Sequence, residues 1–370
     1  MQTTIKQIKI SGFKSIADVE LNDLSPYSVF AGANGSGKSN FFDALAFVSV
    51  VVRMGVIEAL RKFGGYGQVH CHTKPNASVF AARFDLVLDE KSVQYDLTIQ
   101  QMDKSPALIE RLVVDGSLLM SRHPEAVTCY VNGVVDKQYL GFPAFISALI
   151  LTAEASSLLG FLSNTIVYRI DPIKAKQSHH ANTDTNELDQ DGRNIAAMLA
   201  DLEKEADIRE QILEWMTLLV PGLQDLGTEH QKLDGSTLIK FTEQGSTEAF
   251  PAHLISDGTI YALCIMTAVL NRSTHLGMTL IEEPERGIHP KAIAELVNLM
   301  RDNAQVKHPI FVSTHNESVV RAAESKELWL VDKKDGKTVF SHAAQSFVAE
   351  NGLKLDEAWL MNMFDGGLPW

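Results

Sequence analysis

The chain has 370 residues, 45% of them hydrophobic and 21% charged, with a formal net charge of −13. That is a globular composition with room for a large core or two lobes, and its acidity argues against a broad nucleic-acid-binding surface while leaving space for a local basic patch. Three widely spaced cysteines, Cys71, Cys129 and Cys264, do not make a disulfide scaffold and point to a reducing, cytoplasmic home.

The first ten residues alternate polar and apolar and contain no signal-peptide apolar core. Residues 4–10 and 19–30 are expected to be strands by that alternation. A Gly-rich turn comes next, and residues 39–63 carry a helical pattern with Phe42, Leu45, Ala46 and Ser49 on one face. Four short β-type runs, 79–88, 93–100, 109–114 and 128–135, suggest an antiparallel sheet separate from a parallel one.

Residues 139–162 read as buried helix. The uncharged stretch 138–153 is broken by Gly141 and Pro143 and falls short of the roughly 20 apolar residues a membrane span needs, so no membrane partner is expected. Residues 165–172 read as a strand ended by a turn, and 174–191 as a polar, mobile loop. Residues 192–215 read as a helix with Ile195, Met198, Leu199 and Leu202 on one face, its charged side suggesting a solvated lid. From Leu238 onward, short apolar strands alternate with helices, as in α/β folds.

Three clusters carry chemistry. Gly32-Ala33-Asn34-Gly35-Ser36-Gly37-Lys38-Ser39 satisfies G-x-x-x-x-G-K-[ST] between an apolar strand and a helical pattern. Its glycines let backbone N–H groups turn inward around phosphate oxygens. Lys38 is placed to reach β- and γ-phosphates and the Ser39 hydroxyl to bind Mg²⁺. The apolar run Met278-Thr279-Leu280-Ile281 ends in Glu282-Glu283-Pro284. Glu282 is expected to act on Mg²⁺ through water, and Glu283 to polarise an attacking water as general base. Alone, such a pair is commonly a solvated turn; beside a phosphate loop it has a task. Ser256-Asp257-Gly258-Thr259 opens an apolar helix and forms either an anion site or a plain N-cap. The run Pro309 to Thr314 ends in His315, placed to hydrogen-bond a γ-phosphate or to be structural.

The order of these elements resembles the ABC-type ATPase family, and within it the RecF, SMC and OLD-like branch of chromosomal and defence ATPases. Ser11-Gly12-Phe13-Lys14-Ser15 is similar to the opening strand of SMC-like proteins. Gly32 to Asn40 is similar to their G-x-N-G-S-G-K-S-N, Ser256 to Thr259 to an S-D-G-T signature, and Glu282 to Pro290 to their Walker B and D-loop. The resemblance spans residues 5–331. It implies an α/β fold, a P-loop NTPase head of ABC type with a mixed central sheet, an antiparallel β subdomain and a helical lobe. The expected division is 1–175 and 251–340 for the ATPase lobes, 176–250 for the helical lobe and 341–370 for a tail.

The same resemblance implies ATP and Mg²⁺ as cofactors and an ATP-dependent homodimer. Asn34, Gly35, Ser36, Gly37, Lys38 and Ser39 of one protomer would hold a nucleotide whose γ-phosphate meets Ser256, Asp257 and Gly258 of the other. Glu283 and His315 would be catalytic, and Glu282 with Ser39 would hold Mg²⁺. The implied role is an ATPase regulating a separate nuclease or toxin, with a RecF-like DNA-binding ATPase and a non-hydrolysing ATP-gated scaffold as alternatives. Departures are Glu282 where Asp is more usual, a signature without its second Gly, and no clear Q-loop glutamine. Arg169, Asp171 and Pro172 stand where the linkage between lobes is expected. No heptads lie between Ser39 and Ser256, so no coiled-coil arm is expected, and the segment after residue 331 is too short for a Toprim nuclease. His70-Cys71-His72 lacks partners for zinc, and the tail through Trp370 is expected to dock on its own domain or serve as a partner handle.

Overall fold

The structure, a computed structural model, describes residues 5–74, 78–177, 179–180, 187–231, 235–272, 275–346, 353–364 and 366–368. Strands of the first half are β1 (Ile5–Phe13), β2 (Ile16–Leu24), β3 (Tyr27–Ala31), β4 (Phe80–Leu88), β5 (Lys91–Gln100), β6 (Ala107–Val114), β7 (Ser117–His123), β8 (Ala126–Val131) and β9 (Val134–Leu140). After them come β10 (Thr165–Tyr168), β11 (His179–His180), β12 (Leu223–His230), β13 (Ser236–Glu243), β14 (Ala249–Pro251), β15 (Met278–Glu282), β16 (Ile310–Thr314), β17 (Leu328–Lys334) and β18 (Lys337–His342).

These strands sort into three sheets. The central one runs β10-β15-β16-β3-β17-β18. Its first five strands are parallel and only β18 is antiparallel. Every residue of β3 is buried, which is what an apolar five-residue run in the middle of a two-sided parallel sheet requires. The second sheet, β2-β1-β4-β5-β6-β7-β8-β9, is antiparallel throughout and alternates buried and half-exposed residues along β4 and β5. The third joins β11, β12, β13 and β14.

Helices cover both faces of the central sheet. On one side α1 (Lys38–Met54) and α2 (Val56–Lys62) pack with α3 (Tyr66–Val69) and α4 (Ser156–Ser163) between the two large sheets, in a core that includes Phe13, Phe41, Phe47 and Phe80. The short α5 (Pro172–Ala175) comes after β10, with Pro172 at its first turn and the Asp171 side chain as its cap. On the other side lie α6 (Ile195–Leu202), α7 (Ala206–Leu219), α8 (Asp257–Arg272), α9 (Pro290–Asn303) and α10 (Glu317–Ala322). Of these, α8 is apolar nearly all round and buried at thirteen of its positions, as expected of a helix enclosed by others.

Several sequence expectations change. The strand expected over 19–30 is two strands that turn at Ser25 and Pro26, where proline has no N–H to give a ladder. The sheet gains β7, which was not read from the sequence and carries the fully buried Arg122. Residues 139–147 are not helix. Arg122 donates to Glu110 Oε2 at 3.2 Å, to Pro143 O at 2.6 Å and to Ile146 O. Glu110 in turn accepts from Tyr95, from the Ser147 hydroxyl and from Ala148 N–H. A buried ion pair needs every such partner, and the carbonyls of 143 and 146 satisfy the guanidinium only from an irregular path.

The expected helix over 192–215 is two helices, interrupted at 203–205. Ile195, Met198, Leu199 and Leu202 are buried together, and α7 is no lid, because Ile212, Met216 and Leu219 pack it against α8, α9 and β12. Of the stretch read as a loop, 178 and 181–186 lie outside the described residues, whereas Gln190 and Asp191 accept backbone bonds from Arg169 and Asp171. Of the tail, Phe364 is buried and Trp359 Nε1 donates to Gly367 O at 2.6 Å; Trp370 lies outside the described residues.

Candidate functional site

In an open parallel sheet, ligands bind outside the carboxyl ends of the strands. Four such ends meet here. β3 leads into the Gly-rich turn, β15 ends in Glu282, β16 leads to His315 and β10 leads to Arg169. Between them lies a pocket of about 150 Å³, with Asn34, Gly35, Gly37, Lys38, Ser39 and Asn40 on one wall and Glu282, Glu283 and Ser313 on the other.

The turn is held from below. Gly37 sits at φ +110°, and a Cβ there would land 1.9 Å from Thr338 Oγ1. That hydroxyl donates to Ser36 O at 2.9 Å and lies 2.6 Å from Ser15 Oγ, which accepts from Asn40 at 2.7 Å. The Phe13-Lys14-Ser15 segment therefore braces the loop from the β1–β2 turn. Lys38 is nearly buried and donates from Nζ to Gly32 O at 2.7 Å and Ala33 O at 2.8 Å. Burial pushes its ammonium down to about 8, against the opposing fields of Glu283, Glu285 and Glu282. The Ser36 hydroxyl is buried without a partner among the described residues.

Glu283 adopts φ +49°, a left-handed conformation uncommon for a residue with a Cβ and frequent at functional sites. Its N–H is held by Ser313 O at 2.8 Å. His315 Nδ1 stands 3.2 Å from Glu283 Oε1, with both side chains open to solvent. The sequence-expected pair of base and histidine is thus brought into contact. Tyr261 of α8 donates to Glu282 O at 2.8 Å and ties that helix to the end of β15.

Glu285 is buried beneath this pair and accepts from Thr314 Oγ1 at 2.6 Å, while its Oε2 has no partner among the described residues. Burial pushes its carboxyl up from 4.5 to about 7, with the Thr314 bond acting against the rise. Below pH 4.5 neither the folded nor the unfolded group is charged, so it costs nothing. Between 4.5 and about 7 the unfolded chain has released a proton that the folded one keeps, so stability falls as pH rises. By pH 8 the loss is roughly 3 kcal/mol. Glu285→Gln keeps the carbonyl acceptor for Thr314 and is expected to remove this slope. Its Tm relative to the unsubstituted protein should climb between pH 5 and pH 8 in calorimetry; a difference independent of pH would contradict the assignment.

Ser256, Asp257 and Gly258 do not line this pocket. Ser256 accepts from Thr259 N–H at 3.2 Å as the cap of α8, and it borders a separate hollow of about 220 Å³ with Val220, Leu223, Phe241 and Leu254. Asp257 pairs with Lys176. A Cβ on Gly258 would meet Gly287 O at 1.9 Å, so only glycine lets the start of α8 lie against the turn at Gly287. Sequence reading did not single out Asp43, Thr338 or Lys176, and placed Arg169 only as a linker. Each acts through a partner far away in the chain, which leaves no local pattern to find.

A phosphate-loop strand at the centre of a parallel sheet and an apolar strand ending in acid beside the loop define the class, a P-loop NTPase with the fold of SMC and ABC-type ATPase heads. A solved SMC head bound to the C-winged helix domain of ScpA shares this fold, with a TM-score of 0.59 over 94% of this chain and 98% of that one at 14% identity. Residues 28–321 match the family described as "AAA domain, putative AbiEii toxin, Type IV TA system", and the chain belongs to it. Chromosome segregation protein sudA of Emericella nidulans is 27% identical over 218 residues, 55% of this chain and 17% of that protein. Urease accessory protein 2 of Cryptococcus neoformans var. grubii is 56% identical over 46 residues, 12% of this chain and 4% of its own. The chain thus spans less than a fifth of these relatives. Among the described residues, no helix is long and apolar enough to cross a membrane.

Proposed function

We propose that this chain is a cytoplasmic ATPase that closes as a homodimer around Mg²⁺ and ATP and regulates a separate nuclease or toxin. The observation that carries the reading is the single pocket into which Lys38, Ser39, Glu282 and Glu283 converge, with His315 in contact with Glu283. Ser39 and Glu282 offer the hard oxygen donors that suit Mg²⁺, and both line that pocket. Bound there, the metal would neutralise phosphate charge. Lys38 would orient the β- and γ-phosphates, Glu283 would take the proton of the attacking water, and His315 would hold Glu283 and report on the γ-phosphate.

Ser256, with the N–H groups at the start of α8, faces outside this pocket, so a second copy has to supply it. In this reading residues 1–175 and 251–340 build the nucleotide-binding head, 176–250 the lobe beside the signature, and 341–370 a tail. The toxin and toxin–antitoxin system named in the family's description support an effector as the regulated partner.

Sedimentation velocity with and without ATP tests the split site. The protein is expected to be monomeric alone and dimeric with ATP. Ser256→Arg should bind ATP as the unsubstituted chain does yet stay monomeric, because a bulky cation fills the trans contact. Dimers of undiminished stability in Ser256→Arg, or none in the unsubstituted protein with ATP, would overturn the reading.

A further inference from the structure

Arg169 stands just after β10, the edge strand beside β15, and its place is set by a backbone bond from its N–H to Gln190 O at 2.8 Å. Its Nη2 lies 2.6 Å from Asp43 Oδ1 and 2.8 Å from Glu282 Oε1. Asp43, one helical turn beyond Ser39 on α1, uses its other oxygen to hold Lys14 Nζ at 2.5 Å. The Asp43 and Glu282 side chains are only 14% and 17% exposed, whereas Arg169 is 45% exposed, so the two carboxylates are held from the solvent side by one half-open guanidinium. Four elements thus contribute one chain of alternating charge, from Lys14 through Asp43 and Arg169 to Glu282. The other oxygen of Glu282 has no hydrogen-bond partner among the described residues, and its side chain still borders the phosphate-loop pocket.

A glutamate delivers its carboxylate through three rotatable bonds, and fixing such a side chain costs rotamer entropy. A group that must meet a metal in one geometry gains when that cost is met before binding. Arginine suits the task because Nη2 carries two N–H donors in the guanidinium plane, one for each carboxylate.

We propose that Arg169, itself held by Asp43, is a positioning residue that pins one oxygen of Glu282 and presents the other to the metal beside Ser39. The inference rests on the Mg²⁺–ATP reading above. The opposite arrangement, in which Arg169 is a counter-ion that metal must displace, uses the same contacts but reverses the sign of the outcome.

Mn²⁺ binding followed by electron paramagnetic resonance, in the presence of a non-hydrolysable ATP analogue, separates the two. Arg169→Ala in the full chain is expected to weaken Mn²⁺ binding about 10- to 100-fold. Affinity for the analogue in EDTA, and Tm, should stay near those of the unsubstituted protein. Asp43→Asn, which leaves Arg169 in place but loosens its hold, should shift Mn²⁺ in the same direction by less, and it serves if Arg169→Ala does not fold. Unchanged or tighter Mn²⁺ binding in both variants overturns the clamp alone. So does an equal loss with and without metal. An unsubstituted protein that binds no Mn²⁺ with the analogue overturns the clamp and the Mg²⁺–ATP reading together.

Discussion

Glu283→Gln is expected to lower steady-state phosphate release by about 10²- to 10⁴-fold, the span that loss of a general base produces, while ATP affinity changes little. Glutamine keeps the size of the side chain and can still meet His315 Nδ1, now 3.2 Å from Glu283 Oε1, but it cannot accept the proton of water. Glu283 sits at φ +49°, a conformation that exposed hairpin turns of this chain such as Glu90 and Asp115 also adopt, so the case for the carboxylate rests on where the turn places it. Here the conformation carries the chain from the end of β15 onto Ser313 O and leaves the side chain on the pocket wall beside Glu282. If the chain closes as the proposed homodimer, then with hydrolysis blocked and binding intact ATP should hold it together for longer, since ligand that binds only the closed form stabilises it by mass action. Phosphate release and sedimentation on the same sample check both halves. A rate within threefold of the unsubstituted protein would place the base elsewhere.

The convergence of the candidate residues on one pocket was legible where chemistry and chain are local. The phosphate loop, the Glu282–Glu283 pair and the strand before His315 are each a short apolar run with a few diagnostic residues at its end, and β3, β15 and β16 deliver them to one pocket edge. What escaped is long-range. Thr338 supports Ser36 across 302 positions and Arg169 reaches Asp43 across 126; no period or propensity links such residues. Residues 139–147 looked helical because they are apolar and uncharged, but a buried guanidinium from β7 claims their carbonyls. The signature remains double in meaning for a physical reason. The hydroxyl and N–H groups that cap α8 are the same atoms an anion would use, so the chain by itself displays the cap.

Lys38→Met is expected to weaken ATP binding roughly 10²- to 10³-fold, or about 3–4 kcal/mol, which is two hydrogen bonds to charged phosphate at 1.5–3 kcal/mol each, less partial repair by water. The folded protein should tolerate the change. Lys38 is nearly buried, and burial already works against its ammonium. Its two bonds to Gly32 O and Ala33 O offset only part of that cost, since the ammonium still lies below its ordinary range. Methionine retains most of the apolar stem that fills the site, so Tm is expected to move by only a few degrees. Arginine would be the poorer control, since its wider fork does not fit a loop that Thr338 braces within contact of Gly37. The contrast between a large fall in affinity and a small change in Tm is the diagnostic result. It is measured by titration calorimetry beside thermal unfolding. If nucleotide affinity survives in a folded Lys38→Met protein, the Gly-rich turn is only a turn, and Ser39, Glu282 and Glu283 lose the phosphate that gives their convergence a purpose.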